Sequence, residues 1–465
     1  MKKFAQKLPI LCLILLFILP LFQLRIQGAN SLNSDGIQLF IINPLLVTGP
    51  QNTCNNESCK TLLKLINDSK ESIDFAIYGI GGQDAIFNAL VEAQKRGVIV
   101  RGVVDKNINN KNPYRDTDSL IATLKTVKSD YLSDLKMEEE FKTQYQYSKD
   151  ILDYPKAKNK KDFHVAGAIM HDKFFVFDKN IVWRGSTNIS NTCLGGYNGN
   201  KAVLIKSKII AELFSKEFNQ MYEEEKFHQD KTAISDNENI KLADGSTVSV
   251  YFLPKNDAVY RGLKPVLESA KDYIYVPTFF LTHKKIIQYL IDAHNRGVDV
   301  RVILDAAGGN LNYDRVVFIR NDGVPVKVEN WGGKMHMKSV IVDDKYIVVG
   351  SMNFTSSAAH NHDENMVVIN NQKLTKEFKK SFITLWQSVP DKWLSAVPKS
   401  ESSDSIGSCT DGVDNDHNGL TDQDDTNCAE FFKNNPQLVK AKIQPAQSNS
   451  EDFRVINFKY GTISI

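Results

Sequence analysis

Two histidines in this chain stand in the same chemical company. His171 opens the run HDKFFVFDKNIVWRGSTN, which ends at Asn188, and His336 opens HMKSVIVDDKYIVVGSMN, which ends at Asn353. Both runs fit H-x-K-x4-D-x6-G-S-x-N. Each histidine is followed by a lysine (Lys173, Lys338), an aspartate (Asp178, Asp343), a serine (Ser186, Ser351) and an asparagine (Asn188, Asn353). A lone H-x-K carries almost no information, whereas the whole pattern twice is specific. An imidazole can attack as a nucleophile or move a proton. Side chains alternate along a strand, so the histidine and lysine of H-x-K share one face and the aspartate five positions later falls on the other. The pair therefore reads as a reactive nitrogen beside a cation. The aspartate reads as a strand-end hydrogen bond or salt bridge that braces the motif. The remaining histidines, His164, His228, His283, His294, His360, His362 and His417, lie in no repeated pattern and read as surface or packing residues. His360 and His362 are near enough in sequence to line a site.

The elements that must carry these motifs are also duplicated. SIDFAIYG (72–79), QDAIFNALVEAQKRG (83–97) and VIVRGVVD (98–105) match YIYVPTFF (273–280), THKKIIQYLIDAHNRG (282–297) and VDVRVILD (298–305). Each triplet reads strand, helix, strand. The outer segments are β-branched and aromatic, while Ile86, Leu90 and Ala93, like Ile286, Leu290 and Ala293, recur at helical spacing. Gly97 and Gly297 are placed to end the helices. Parallel strands joined by a helix imply a sheet covered by helices. The chain thus divides into a first repeat at 38–236, a second at 245–398 and a tail at 399–465. Asp105 precedes His171 by 66 positions and Asp305 precedes His336 by 31, so the first repeat holds an insert of about 107–163. It carries an acidic run at Glu138–Glu140 and a basic run at Lys156–Lys161, and reads either as a binding loop or as a solvated excursion. Glu223 to Asn239 is polar and reads as the linker between repeats.

The doubled motif and its strand–helix–strand units resemble the phospholipase D superfamily, whose HKD motif has this form, over about residues 38–395. The resemblance implies an α/β fold of two repeats, each a mixed β-sheet flanked by helices, packed with pseudo-twofold symmetry around one cleft. It implies cleavage of a phosphodiester. Attack by one imidazole would form a phosphohistidine, and the other would protonate the leaving oxygen and then activate water or an alcohol. Lys173 and Lys338 would hold the non-bridging oxygens, and Ser186, Asn188, Ser351 and Asn353 would add hydrogen bonds to the phosphate. The family also has an acid shortly after G-S-x-N that orients a catalytic imidazole. Glu364, in HNHDENMVVI, fits that place, while the first repeat has Asn200 at the equivalent position. Which histidine the acid serves is open on sequence. Analogy with fused members favours His171 as nucleophile and His336 as acid/base. No catalytic cofactor is expected, because a lysine beside each imidazole disfavours a metal there.

Composition narrows the partners. The formal net charge of +2 falls to −2 without Lys2, Lys3, Lys7 and Arg25, which gives little general attraction for polyanions. A phospholipid or membrane surface is therefore the first expectation for substrate. An exported nuclease, with Lys156–Lys161 on a nucleic-acid backbone, is the second. A silent surface adhesin keeping the fold is the third, and two complete motifs argue against it. With both motifs in one chain a monomer suffices. Residues 1–29 read as a secretory signal, with three lysines before the apolar run Leu8–Phe22, or else as an uncleaved anchor. Export permits disulfides, and Cys54 with Cys59 and Cys409 with Cys428 are plausible pairs that leave Cys193 over. In the tail, a Ser-rich stretch at 399–408 reads as a flexible linker. Asp414, Asp416, Asn418, Asp422 and Asp425 follow calcium-loop spacing around Gly419, so a structural Ca²⁺ is expected there; a plain acidic linker is the alternative.

Overall fold

The computed structural model describes residues 29–34, 36–107, 109–131 and 168–439. The expected signal segment before Ala29 and both charged runs of the insert lie outside the described residues. Each repeat builds an eight-stranded mixed sheet. In the first, the order is Ala29–Ser34, Ile37–Ile42, Asn200–Lys206, Ile181–Gly185, Lys173–Phe177, Ser72–Ile77, Ile99–Val104, Val127–Ser129. In the second it is Ile240–Lys241, Thr247–Leu253, Glu364–Asn370, Tyr346–Gly350, Ser339–Val342, Tyr273–Thr278, Asp299–Leu304, Val326–Val328. The last three strands of each order run parallel and the rest antiparallel. The two orders match strand for strand, as the sequence repeat requires.

Helices Asp84–Lys95 and Lys284–Asn295 make the parallel crossovers. Both end at a glycine with φ of +90°, Gly97 and Gly297, a conformation that a side chain would strain. Their apolar faces (Ile86, Leu90, Ala93; Ile286, Leu290, Ala293) are buried on the outer side of each sheet, in separate cores. A third core lies between the sheets. Helices Lys208–Tyr222 and Gln372–Ser388 fill it, capped at their starts by Ser207 and Asn371. Phe214 of the first repeat meets Phe252 of the second edge-on at 5.0 Å between ring centroids. The layers are therefore helix, sheet, shared helices, sheet, helix. One core common to both repeats fixes the sheets relative to each other and so fixes one motif against the other.

Three organisational expectations change. Helix Thr117–Thr123 and strand Val127–Ser129 occupy the places of Tyr313–Asn321 and Val326–Val328, so the first part of the expected insert belongs to the repeat itself. The polar segment 223–239 is no loose linker: Phe227, His228, Lys231, Ile234 and Asn237 are buried. Lys231 pairs with Glu217 and, at 2.7 Å, with Asp363, which a reading by composition cannot anticipate. The Ser-rich stretch is no linker either. Ser400, Glu401, Ser402, Ser405 and Ser408 are buried, and the Ile406 amide donates to Asn330 O at 2.8 Å. Serine hydroxyls there satisfy backbone groups of a compact loop, as where Ser405 Oγ donates to Lys399 O at 2.7 Å. Both expected disulfides are present, Cys54–Cys59 and Cys409–Cys428, and Cys193 is free and buried.

Candidate active site

Each histidine is delivered by its own repeat and anchored by the other. The His171 amide donates to Asp363 O at 2.9 Å, and the His336 amide donates to Gly199 O at 2.8 Å. Asp363 and Gly199 immediately precede Glu364 and Asn200, so the same crossing brings those side chains onto the opposite motif. Glu364 Oε1 lies 2.7 Å from His171 Nδ1, and Asn200 Oδ1 lies 3.1 Å from His336 Nδ1. The question left open by the sequence is thus resolved across the repeat boundary. The acid of the second repeat backs the histidine of the first.

Both imidazoles are buried, and burial lowers both pKa values well below the usual histidine value, with Lys173 and Lys338 pushing the same way. His171 is therefore neutral. Its Nδ1–H donates to the carboxylate, which leaves the Nε2 lone pair unengaged; Nε2 is buried and has no protein hydrogen-bond partner among the described residues. Burial pushes Glu364 up to about 7, opposed by Lys173, His362 and the Ser351 hydroxyl. His336 faces a neutral amide, and free Cys193 lies 3.8 Å from its Nδ1. The two imidazoles are thus electrostatically unequal.

The lysines follow the same symmetry. Strand register sets Lys173 opposite Ile77 and Lys338 opposite Thr278. Each ammonium donates to the carbonyl of its own histidine, Lys173 to His171 O at 2.7 Å and Lys338 to His336 O at 2.9 Å. Burial brings Lys173 down to about 8 while Glu364 and Asp172 raise it. Burial and repulsion from Lys173 bring Lys338 well below its usual value. Two buried cations that repel each other mark a place for an anion.

The other motif residues divide by role. Ser186 Oγ donates to Asn200 Oδ1 at 2.9 Å, and Ser351 Oγ accepts from the Asn365 amide at 3.0 Å. The hydroxyls expected on the phosphate are thus turned toward the orienting residues and the neighbouring strand. Asn188 and Asn353 are buried beside the histidines' strands, and Asn188 Nδ2 reaches Cys193 Sγ at 3.9 Å. Asp178 accepts from the amides of Lys70, Glu71 and Ser72 at 2.8–3.2 Å. Asp343 does the same for Lys271, Asp272 and Tyr273 at 2.6–2.9 Å. Both have positive φ, and both tie the far end of the motif strand to the start of the central strand.

Sequence reasoning passed over several paired residues. Tyr78 and Phe279 follow the central strands at equivalent positions, and their rings lie 5.3 and 5.1 Å from the imidazoles of His171 and His336. Asp105 Oδ1 accepts from the Met170 amide and Asp305 Oδ2 from the Met335 amide, each at 2.9 Å, which fixes the backbone just ahead of each histidine. Asp130 and Glu329 support these carboxylates in the two repeats. Tyr78 with Phe279 and Asp105 with Asp305 stand at matching places in the quoted repeats, and that was the available signal; Asp130 and Glu329 lie outside those segments. Of the two histidines noted near the motif, His362 lies beside His171 at 6.4 Å between rings, whereas His360 packs on His283.

The tail residues only partly gather. Ligand atoms of Glu401, Asp414 and Asp416 lie within 4.8 Å of one another. Asp425 accepts from Asn418 Nδ2 at 2.8 Å, and Asn418 Oδ1 accepts from the Leu420 amide. Asp422 is turned to the Gly412 amide. Glu401, outside the expected spacing, replaces it in the cluster.

A family model described as "Cardiolipin synthase, PLD-like domain" matches residues 62–222 and 263–386, both repeats and both motifs. The chain belongs to the phospholipase D superfamily. It is a phosphodiesterase of that superfamily. Among curated relatives, a phospholipase D of Rickettsia bellii is 27% identical over 146 residues, 31% of this chain and 72% of that protein. Human mitochondrial cardiolipin hydrolase is 28% identical over 162 residues, 35% of this chain and 63% of that protein. The solved phosphatidylserine synthase of Haemophilus influenzae has a TM-score of 0.50 at 15% identity, covering 78% of this chain and 91% of that one, a likeness of fold.

Proposed function

We propose that this phospholipase D superfamily member hydrolyses phospholipid phosphodiester bonds, or transfers the phosphatidyl group to an alcohol. The phosphate sits between Lys173 and Lys338. The bound phosphate anion favours the imidazolium form of His336, which takes up a proton from solvent as the substrate binds. His171 Nε2 then attacks phosphorus and a phosphohistidine forms as the P–O bond to the leaving group breaks, with the His336 imidazolium protonating the leaving oxygen. The neutral His336 then takes a proton from the incoming water or alcohol, which displaces His171 from phosphorus. Glu364 stabilises the positive charge that develops on His171 when phosphorus is attached. The observation that carries the assignment is the 2.7 Å contact between Glu364 and His171, against a neutral amide on His336. The names of the Rickettsia and human relatives favour a lipid substrate. The enzyme works as a monomer outside the cytoplasmic membrane, a location supported by the basic-then-apolar N-terminus and two disulfides. No cofactor serves the chemistry, while Glu401, Asp414 and Asp416 hold a structural Ca²⁺; calorimetry with millimolar calcium tests that site, and no heat of binding would remove it. Incubation of the purified protein with phosphatidylcholine vesicles and, separately, plasmid DNA tests the substrate. Phosphatidate from the vesicles supports the lipid reading. Nicked plasmid with intact lipid would make the enzyme a nuclease.

A further inference from the structure

The backbone that anchors His171 is itself gripped through a side chain, whereas the backbone that anchors His336 is not. Asp363 O accepts from the His171 amide at 2.9 Å, and the Asp363 amide donates to Ile169 O at 3.0 Å. The next residue is Glu364, whose Oε1 lies 2.7 Å from His171 Nδ1. Any displacement of Asp363 therefore moves the His171 backbone and its orienting acid together. On the His336 side Gly199 takes the place of Asp363, and it has no side chain to hold.

The Asp363 carboxylate is clamped from segment 223–239. Its Oδ1 accepts from the His228 amide at 2.8 Å and lies 2.7 Å from Lys231 Nζ. Its Oδ2 lies 2.9 Å from His228 Nδ1. The other ring nitrogen, Nε2, lies 3.9 Å from Asp130 Oδ2, the atom that the Met170 amide meets at 3.3 Å. His228 thus bridges two carboxylates that act on the backbone at residues 169–171. Lys231 Nζ also donates to Leu253 O at 2.9 Å, and Leu253 is the sheet partner of Glu364. Asp130, His228, Lys231 and Asp363 are all buried, so their charges act on one another with little screening. Burial works to raise the Asp363 pKa, yet His228 and Lys231 hold it down to about 2. His228 keeps its place at φ of +50°, a left-handed conformation that persists in a residue with a β-carbon only where the surroundings enforce it. His228 and Lys231 lie between the two ranges that match the family model, so the clamp is no part of the matched pattern.

We propose that His228 and Lys231 are positioning residues for phosphodiester cleavage, fixing Asp363 and through it the contact of Glu364 with His171. They act on the reaction at second hand: a fixed Asp363 keeps the His171 Nδ1–H on the carboxylate and leaves Nε2 as the attacking nitrogen. The inference rests on the reading of His171 as the residue that attacks phosphorus. Its cost on failure is geometric, because a small misplacement of an attacking group slows the step far more than it weakens binding.

The test uses the full-length protein, with hydrolysis of bis(p-nitrophenyl) phosphate read beside nitrogen-15 NMR of labelled histidines. His228→Ala removes the bridge. His228→Asn keeps a donor near the place of Nδ1 and suits the left-handed backbone. His228→Ala should lower kcat by about tenfold to 10²-fold and change KM by no more than about threefold, and His228→Asn should recover most of that loss. Lys231→Met combined with Glu217→Gln, which removes the cation and the charge of one of its two acids, should lower kcat in the same way. In wild type the two ring nitrogens of His171 should give the well-separated signals of an Nδ1–H tautomer, and in His228→Ala these should move together as the tautomers mix. If His228→Ala does not fold, His228→Gln, with a donor at the place of Nε2 but not of Nδ1, takes its place with the same expectation. Wild-type kcat in the folded variant, equal losses in the alanine and asparagine variants, or a lower kcat with His171 signals unchanged would each overturn the proposal. The tautomer is read without turnover, so a phosphohistidine mapped to His336 would count against the assignment of roles alone.

Discussion

Glu364→Gln isolates the charge behind His171. The substitution keeps shape and an acceptor oxygen, so the imidazole tautomer and the 2.7 Å contact can persist while the carboxylate charge is lost. A hydrogen bond to a charged partner is worth about 1.5–3 kcal/mol net, and in this buried site the charge matters most when His171 becomes cationic on bonding phosphorus. A loss of about 3–4 kcal/mol in the transition state is about 10²–10³-fold in kcat. KM should move by no more than a few-fold, because the lysines that hold the phosphate remain. The assay is steady-state hydrolysis of a soluble phosphodiester, with circular dichroism to confirm the fold. A double variant separates charge from position. Asn200→Asp combined with Glu364→Gln moves the carboxylate behind His336 and should move the covalent intermediate with it. Glu364→Gln with half of the wild-type kcat would refute the reasoning.

The structure sets three further expectations. kcat/KM should fall below pH about 7 as Glu364 takes a proton and above about 8 as Lys173 loses one; bound substrate should raise the lysine pKa values and shift the alkaline limb of kcat upward. Both active-site histidines have depressed folded-state pKa values, so their contribution to stability is present above about 6.5 and lost as pH falls; the melting temperature should drop on acidification through that value, and a flat profile would contradict their burial as neutral groups. Asp178→Ala, which strips three amides of their acceptor at a positive-φ position, should cost about 2–4 kcal/mol in a denaturant titration yet leave the activity of the folded fraction largely intact; loss of activity in fully folded protein would make Asp178 more than a brace.

Much of this architecture was legible because the chain states it twice. The matched strand–helix–strand units specified two of the three parallel strands of each sheet, the crossover helix and the glycine that ends it. The two HKD runs specified which strands follow the histidines. Asp178 and Asp343 stand in the turns just after their strands, at positive φ, so strand alternation does not place them; their role as braces comes from the strand-end amides they accept from. The pairing of Glu364 with His171 was not legible: alignment identified Asn200 and Glu364 as equivalent, but only the crossing at Asp363 and Gly199 decides which histidine each one meets. Composition misled where polar residues are buried in company. Lys231 sits among Glu217 and Asp363, and the serines of 399–408 satisfy their own loop, so both segments read as solvent-exposed when they are packed. The docking of the tail on Lys334 and Tyr197 depends on tertiary contacts that no local pattern records.

The central claim is that one histidine of one repeat takes the phosphoryl group while the other manages the proton. Rapid quench of the enzyme during turnover of a phosphorus-labelled phosphodiester, followed by peptide mapping under alkaline conditions, tests it directly. The account predicts an acid-labile, base-stable label on the peptide that contains His171. Label on the His336 peptide would reverse the roles, and no label in a single turnover would contradict the covalent mechanism.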